Sequence, residues 1–229
     1  MRAAITTMLL LVASPAMAFQ GMGPGPGVKG YASSGPSISY YFNCDSSTSG
    51  QSPTIGSGTI EVTSGCSTVS GAVGNALYCT GDWEGIFIPV ANLMSTAAGT
   101  LGMYVTPSAS NGYMVRIENR LDWPTFVLSR GAGVLTWKYS SSEQEIAGIS
   151  NGTRYFIEIA WDHANQKMAY RVDGSPANWT EITTTGSEPT STSNVAFAGL
   201  DSMSASFDQI LVSPTYKADI YAVRNNTSF

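Results

Sequence analysis

The chain has 229 residues and a formal charge of -5, and charged residues make up only 12% of it against 43% hydrophobic residues. Nucleic-acid binding depends on clustered Lys and Arg side chains that neutralise phosphates, so this acidic balance argues against a nucleic-acid partner. The hydrophobic content is too high for a disordered chain and, with abundant Gly, Ser and Thr, is typical of an extracellular all-β domain.

The first 18 residues have the pattern of a secretory signal peptide. Arg2 gives a positive start, residues 5–13 form an apolar stretch, and Ala16-Met17-Ala18 is a small-x-small cleavage site. We therefore expect a mature protein that begins at Phe19 and is secreted to the extracellular space or a periplasm. No apolar stretch reaches the roughly 18 residues that a transmembrane helix needs. Residues 19–37 are rich in Gly and Pro and predict a lead-in without regular structure.

From Ile38 onward, short apolar segments alternate with turn signals over a single predicted domain, residues 38–229. Their spacing is near ten residues, and Asn-Gly, Gly-Ala-Gly and Asp-Gly-Ser stand between them, which favours an antiparallel β-sandwich. Only residues 216–224 are predicted to form a short closing helix. The predicted strands are residues 38–43, 59–63, 75–81, 86–88, 100–107, 112–119, 125–128, 134–140, 154–161, 167–173, 194–200 and 206–212.

Three cysteines, Cys44, Cys66 and Cys79, remain after the predicted export. An exported chain can keep disulfides, and an odd count leaves one thiol over. The sequence does not choose among the three pairings. One structural disulfide with a buried free thiol is the simpler interpretation, because a catalytic thiol would need the single histidine, His163, as its base.

Four segments in order carry a further pattern: GAVGNALYCTGDWEGIFIP at 71–89, TLGMYVTP at 100–107, a hairpin at 155–174 with Trp-Asp and Val-Asp-Gly ends, and FDQILV at 207–212. Together they resemble laminin-G-like jelly rolls of the concanavalin A-like lectin/glucanase superfamily. The resemblance implies a jelly-roll fold and a carbohydrate groove on an exposed sheet face. It also implies calcium as the cofactor, if the protein holds one.

Side-chain alternation places a set of polar residues on one face of the predicted antiparallel strands. Because residues i and i+2 of a strand share a side, Arg116, Glu118, Lys138, Glu158 and Arg171 are predicted to lie on their exposed face. The resemblance places a ligand groove on that face. The alternative is a solvated sheet face on which opposite charges form weak cross-strand pairs.

The five tryptophans are candidates for sugar stacking, because a flat ring covers the apolar face of a pyranose. Trp161 and Trp137 share their strand faces with apolar residues and are predicted to belong to the core. Trp83, Trp123 and Trp179 stand beside turn residues and are predicted to be exposed, ligand-binding rings. For each of these three, capping the edge of the core is the alternative.

The resemblance also supplies candidate calcium ligands, since many members hold Ca²⁺ near the rim of the sandwich through hard oxygen ligands. Asp82 follows the opening strand, and Asp208 stands at the aspartate position of the last-strand motif. Asp45 is a third candidate. Turn capping and backbone hydrogen bonding are the alternative role for Asp82 and Asp208.

Signatures of catalysis are weak. Glycoside hydrolysis needs two carboxyl groups between about 5 and 9.5 Å apart, and the E-x-D-x-x-E arrangement of retaining glucanases with this fold is absent. Glu158 and Asp162 share a face but lie about 13 Å apart along a strand. Glu143 and Glu145 are predicted to lie in a solvated loop, and a pair of Glu118 with Glu158 depends on strand register.

The sequence thus favours a secreted, non-catalytic recognition module for a carbohydrate, such as a cell-surface or matrix glycan. Two alternatives stay open. One is a glycan hydrolase or polysaccharide lyase on the same fold. The other is a structural surface or particle protein that binds other protein chains.

Overall fold

The fold is built almost entirely from β-strands. The computed structural model describes residues 35–81, 83–93, 97–108, 112–118, 126–131, 134–139, 142–146, 149–174, 179–183, 194–200 and 204–226. The predicted signal peptide and most of the lead-in lie outside these residues. No helix in the described ranges has the length and apolar character needed to cross a bilayer.

The first eight strands in chain order are β1 (Tyr40–Phe42), β2 (Glu61–Val62), β3 (Cys66–Ser70), β4 (Asn75–Cys79), β5 (Ile86–Pro89), β6 (Ala98–Pro107), β7 (Gly112–Glu118) and β8 (Phe126–Gly131). They are followed by β9 (Val134–Tyr139), β10 (Ser142–Ile146), β11 (Tyr155–Asp162), β12 (Lys167–Val172), β13 (Thr180–Thr183), β14 (Asn194–Leu200) and β15 (Ala205–Ser213). A short helix α1 (Val90–Leu93) follows β5, and a 3₁₀ helix spans Ile220–Val223.

The described strands form two antiparallel sheets. The eight-stranded sheet has the order β13-β12-β11-β6-β15-β4-β3, and β1 also pairs with β15. The seven-stranded sheet has the order β10-β9-β8-β7-β14-β5-β2. The predicted antiparallel β-sandwich is therefore confirmed.

The main core follows from strand alternation, with apolar side chains from both sheets meeting in one cluster. Ile157 and Trp161 of β11 belong to it, as do Val195 and Phe197 of β14. Phe197 meets Phe207 of β15 edge to face, with ring centroids 5.8 Å apart. Trp161 is only 1% exposed, which confirms its predicted place in the core.

A second apolar cluster covers part of the outer face of the eight-stranded sheet. The chain after β15 forms a closing segment, residues 214–226, that returns across this face. Gly102 makes the close approach possible, because a Cβ there would lie 2.9 Å from side-chain atoms of Ile220 and Phe156. The buried members of this cluster are Tyr41, Phe156, Leu211, Ala218 and Ile220.

The cysteines follow the simpler of the sequence-based interpretations. Cys66 and Cys79 lie opposite each other on β3 and β4 and form a disulfide. Cys44 is a buried free thiol, and its burial raises its pKa. The disulfide is thus structural, and the remaining thiol is unsuited to nucleophilic chemistry because the thiolate is disfavoured.

The sequence pattern does not predict β3, β10 or β13, and all three are edge strands of their sheets. An edge strand pairs on one side only and has little apolar surface to bury, so its alternation is weak. The correction matters most for Glu143 and Glu145. These residues lie in β10, not in the predicted loop.

Candidate functional site

The residues predicted to share one exposed face lie on two different sheets. Arg116 and Glu118 lie on β7 of the seven-stranded sheet, as Lys138 does on β9. Glu158 and Arg171 lie on β11 and β12 of the eight-stranded sheet. The single-face prediction is therefore wrong, and Glu118 and Glu158 are not cross-strand neighbours.

The predicted exposure of Glu158 and Arg171 is also wrong, because the closing segment covers them. Both side chains are 0% exposed. The Arg171 guanidinium donates to both carboxylate oxygens of Glu158, with Nη2 2.8 Å from Oε1, and Nη2 also donates to Asp219. The amide of Tyr221 donates to Glu158 Oε1 at 3.0 Å. The pair therefore fixes the closing segment to the sheet.

Trp179 lies beside this ion pair. The Arg171 guanidinium carbon is 4.7 Å from the centroid of its indole ring, a cation–π contact. The ring is half-buried, so part of it is occupied inside the protein. A ligand role for Trp179 stays a prediction, and the contact with Arg171 gives the residue a structural role as well.

Trp83 is the one large hydrophobic residue that is exposed among the described residues, at 58%. Its φ of 63° lies in the left-handed region. The next residue, Glu84, accepts a hydrogen bond from the amide of Gly65 at 2.8 Å, directly before the disulfide at Cys66. The turn that presents the indole ring is thus tied to the sheet, and the predicted exposure of Trp83 is confirmed.

The remaining predicted ligand residues are less fully placed. Arg116 is partly buried, with its guanidinium carbon 5.3 Å from the centroid of the Tyr113 ring. Trp123 and the side chain of Glu118 lie outside what the structure describes, as does Asp82. Their predicted roles in ligand or metal binding stay predictions.

A polar pocket opens on the outer face of the eight-stranded sheet. Its volume is about 160 Å³. The register of β15 against β6 places Ser206 opposite Thr106 and Asp208 opposite Tyr104, so polar groups from both strands meet there. The lining residues are Ser70, Ala76, Tyr104, Thr106, Arg154, Ser206, Phe207 and Asp208.

A β-bulge in β15 orients Asp208 toward this pocket. Asp208 pairs with Tyr104 and Leu211 with Gly102, so β15 advances three residues while β6 advances two. Gln209 has a φ of 51° at this point. The extra residue shifts the alternation of side chains between the two sheet faces, as bulges do. The side chains of Asp208 and Gln209 both lie outside the main core.

Hydrogen bonds from Ala72, Val73 and Gln209 hold the Asp208 carboxylate in place. Oδ2 accepts hydrogen bonds from the amides of Ala72 and Val73 at 2.7 and 3.2 Å, and Oδ1 accepts one from Gln209 Nε2 at 3.2 Å. The Tyr41 hydroxyl donates to Gln209 Oε1 at 2.7 Å, which turns the amide nitrogen of Gln209 toward Asp208. The carboxylate position is therefore fixed before any ligand binds.

The pocket also contains a positive charge. Burial raises the pKa of Asp208, while the amides of Val73 and Ala72 and the charge of Arg154 oppose this effect. Arg154 Nη2 donates to the carbonyl oxygen of Ser70 at 3.0 Å. A carboxylate oxygen can accept about two hydrogen bonds, so Asp208 Oδ1 keeps acceptor capacity beyond its bond to Gln209.

The two described calcium candidates accept hydrogen bonds from nearby N–H donors. The oxygens of Asp208 face N–H donors, and those of Asp45 accept from the Asn75 amide at 2.7 Å and from Asn43 Nδ2 at 2.8 Å. Within the described ranges, no group of three or more His, Cys, Asp or Glu residues could hold a metal ion. Both carboxylates hold the turn at residues 71–75, which for Asp208 is the alternative role expected from the sequence. Calcium binding by Asp82, Asp208 or Asp45 stays a prediction.

Sequence analysis does not single out four of the polar pocket residues, namely Tyr104, Thr106, Arg154 and Ser206. Thr106 and Ser206 give a weak signal, since each is a polar residue between two apolar neighbours in its strand. Arg154 precedes β11 and gives no such signal. Only the strand register brings these residues together.

No protein-family model and no curated protein matches this sequence. Among solved structures, the chain is similar to the binding domain of Paraclostridial Mosquitocidal Protein 1, with a TM-score of 0.60 and 12% identity over 82% of this chain and 52% of that one. It is also similar to Trypanosoma rangeli sialidase, with a TM-score of 0.64 and 13% identity over 84% of this chain and 33% of that one.

A third similar structure is the binding domain of Botulinum neurotoxin serotype D, with a TM-score of 0.60 and 8% identity over 82% of this chain and 50% of that one. This chain thus spans between about a third and a half of the length of the three proteins. At these identities the similarity is one of fold. The chain has the β-rich fold that occurs in toxin binding domains and in a sialidase.

Proposed function

We propose that this protein is a secreted, non-catalytic carbohydrate-recognition module with a laminin-G-like jelly-roll fold. The observation that carries the proposal is the polar pocket on the outer face of the eight-stranded sheet. It combines an acceptor, Asp208, with a donor, Arg154, and with the hydroxyl groups of Tyr104, Thr106 and Ser206. Sugars are recognised by a few placed polar groups of this kind, because each sugar hydroxyl both donates and accepts.

Trp83 adds a second contact surface to the proposal. Its indole ring is exposed, and the turn that carries it is held by Glu84 and adjoins the disulfide. A Trp side chain has only two rotatable χ angles, so it loses little conformational freedom when a ligand stacks on it. The similar structures agree with this role, since two are binding domains of toxins and one is a sialidase, by its name a carbohydrate-acting enzyme.

The pocket does not favour hydrolysis. Asp208 is the one carboxylate among its lining residues, whereas glycoside hydrolysis needs a pair of carboxyl groups. Glu158, one of the carboxylates considered for catalysis, is buried and bound to Arg171. Recognition without turnover is therefore the function that these residues support best.

The test is binding of the mature chain, residues 19–229, to an array of glycans and polysaccharides, with calcium and with EDTA. We expect binding to a defined glycan class. Arg154→Gln should weaken glycan binding about tenfold to a hundredfold, because the variant loses a hydrogen bond from a charged group. Lys167→Gln is the matched control, because it removes one positive charge from an exposed ion pair with Glu181.

Absence of binding under both conditions would refute the proposal. Self-association in light scattering, together with no glycan binding, would favour a protein that binds other protein chains. Binding that EDTA abolishes would move attention to Asp82 as the calcium ligand.

A further inference from the structure

We infer that the pocket takes the terminal sugar of a neutral glycan, with two adjacent hydroxyl groups held between Asp208 and Arg154. This inference rests on the proposed function and names the class of ligand. It follows from three properties of the pocket: its volume, the hydrogen bonds that its side chains make to neighbouring segments, and its charge.

The volume fits one sugar ring. The pocket measures about 160 Å³, and an apolar protein cavity of about 150 Å³ binds benzene, a molecule with a single six-membered ring. Pockets for drug-sized ligands are larger, about 300 to 1,000 Å³. A pyranose with its hydroxyl groups is larger than benzene, so the pocket can take one sugar ring at most, and the rest of a glycan chain lies outside it.

Two contacts join side chains of the pocket to neighbouring segments. The Tyr104 hydroxyl donates to Asn225 Oδ1 of the closing segment at 2.7 Å. Arg154 Nη2 donates to the carbonyl oxygen of Ser70, at the end of β3, at 3.0 Å. A sugar inside a chain needs space for the chain to leave in two directions, but a terminal sugar needs only one exit. These contacts favour a chain end.

The charges favour a neutral ligand. Asp208 is 1% exposed, and burial raises its pKa while the charge of the nearby Arg154 opposes that rise, so the pocket combines one negative with one positive group. An acidic sugar would bring a second negative charge beside the Asp208 carboxylate, and two like charges at close range disfavour each other. Arg224, the other nearby cation, is stacked 3.4 Å from the centroid of the Tyr221 ring.

Adjacent hydroxyl groups complement the two charged residues. One hydroxyl can donate to Asp208 Oδ1, and its neighbour can accept from the Arg154 guanidinium. Asp208 cannot move away from this role, because the amides of Ala72 and Val73 and the side chain of Gln209 hold it. Such prior positioning lowers the cost of ordering the site on binding.

The inference is tested by competition for the best glycan from the array. The competitors are methyl glycosides of glucose, galactose and mannose, their deoxy derivatives lacking one hydroxyl of an adjacent pair, and the matching uronic acids. At least one neutral glycoside should compete. Loss of one bridging hydroxyl should weaken competition about tenfold or more, as for a lost hydrogen bond to a charged group.

Ser206→Trp fills the pocket without changing its charge and should abolish binding. Its matched control is Thr180→Trp, which adds the same ring to an exposed position of β13, at the opposite edge of the sheet from β3. Circular dichroism shows whether both variants are folded. If Ser206→Trp is unfolded, Thr106→Val is tested in its place. This variant removes one hydroxyl group from the pocket and should weaken glycan binding about threefold or more.

The outcomes separate the inference from the proposed function. If the array glycan binds but only internal stretches of a polysaccharide compete, or uronic acids compete better than neutral glycosides, the inference fails and carbohydrate recognition stands. If a folded Ser206→Trp variant binds unchanged, the pocket is not the site. If no glycan binds, both fail.

Discussion

Replacing Arg171 with methionine removes the positive partner of Glu158 from a fully buried ion pair. Both side chains are 0% exposed, so solvent does not screen the charge that is left behind. Removing one partner of such a pair costs about 3–5 kcal/mol. The Tyr221 amide still donates to Glu158 and offsets part of the loss. We therefore expect about 3 kcal/mol at pH 7, a large share of the roughly 5–15 kcal/mol that stabilises a domain.

The loss should depend on pH in a defined direction. Burial already raises the pKa of Glu158 above its usual 4.5, and Arg171 opposes that effect. Without Arg171 the folded-state pKa rises further. A carboxyl group with a raised pKa favours the folded state below its unfolded pKa, and this contribution disappears as the pH rises through the folded pKa. Arg171→Met should therefore be destabilised more at pH 8 than at pH 5.

Urea unfolding followed by tryptophan fluorescence measures the difference in unfolding free energy at both pH values. The control is the double variant Glu158→Gln with Arg171→Met, which leaves no buried charge at the pair and should lose less stability than the single variant at pH 8. A loss below about 1 kcal/mol for Arg171→Met, or an equal loss at pH 5 and pH 8, would refute the reasoning.

Two further changes test the supports of the site. Replacing Cys66 and Cys79 with serine opens a loop with a sequence separation of 13 residues. The free energy of unfolding should fall by roughly 3 kcal/mol, the chain-entropy value for a loop of about 15 residues. An unchanged thermal midpoint would contradict this expectation. Gly71→Ala places a Cβ 2.6 Å from Asp208 Oδ2 and from the Asn75 carbonyl oxygen. It should cost about 1–3 kcal/mol and weaken glycan binding with it. Gly50→Ala strains the backbone, because Gly50 has a φ of 82°, but its added Cβ has no atom within 4 Å, so this control should leave glycan binding unchanged.

The central strands could be predicted from the sequence because they face the core. β11 alternates clearly, and its apolar set from Tyr155 to Trp161 packs between the sheets as predicted. The edge strands lack that constraint, and their polar sequences leave no comparable pattern. The strength of the prediction thus followed the amount of apolar surface that each strand buries.

The site was less accessible to prediction. Alternation correctly separated Glu158 from the apolar set of its strand, but exposure depends on what covers a face, and here residues 214–226 cover it. Asp208 was singled out from its motif, while its partners Ala72 and Val73 lie 136 and 135 residues away in the chain. Contacts at such separations depend on register and on bulges, which local pattern does not encode.

The bulge at Gln209 divides β15 into two halves with separate constraints. Asp208, on one side of it, serves the polar pocket, and Leu211, on the other, serves the apolar cluster under the closing segment. Deleting the extra residue would turn Ile210 away from the main core and Leu211 into it. Substitutions before the bulge can therefore alter the pocket without disturbing the packing after it, whereas a change in strand length cannot.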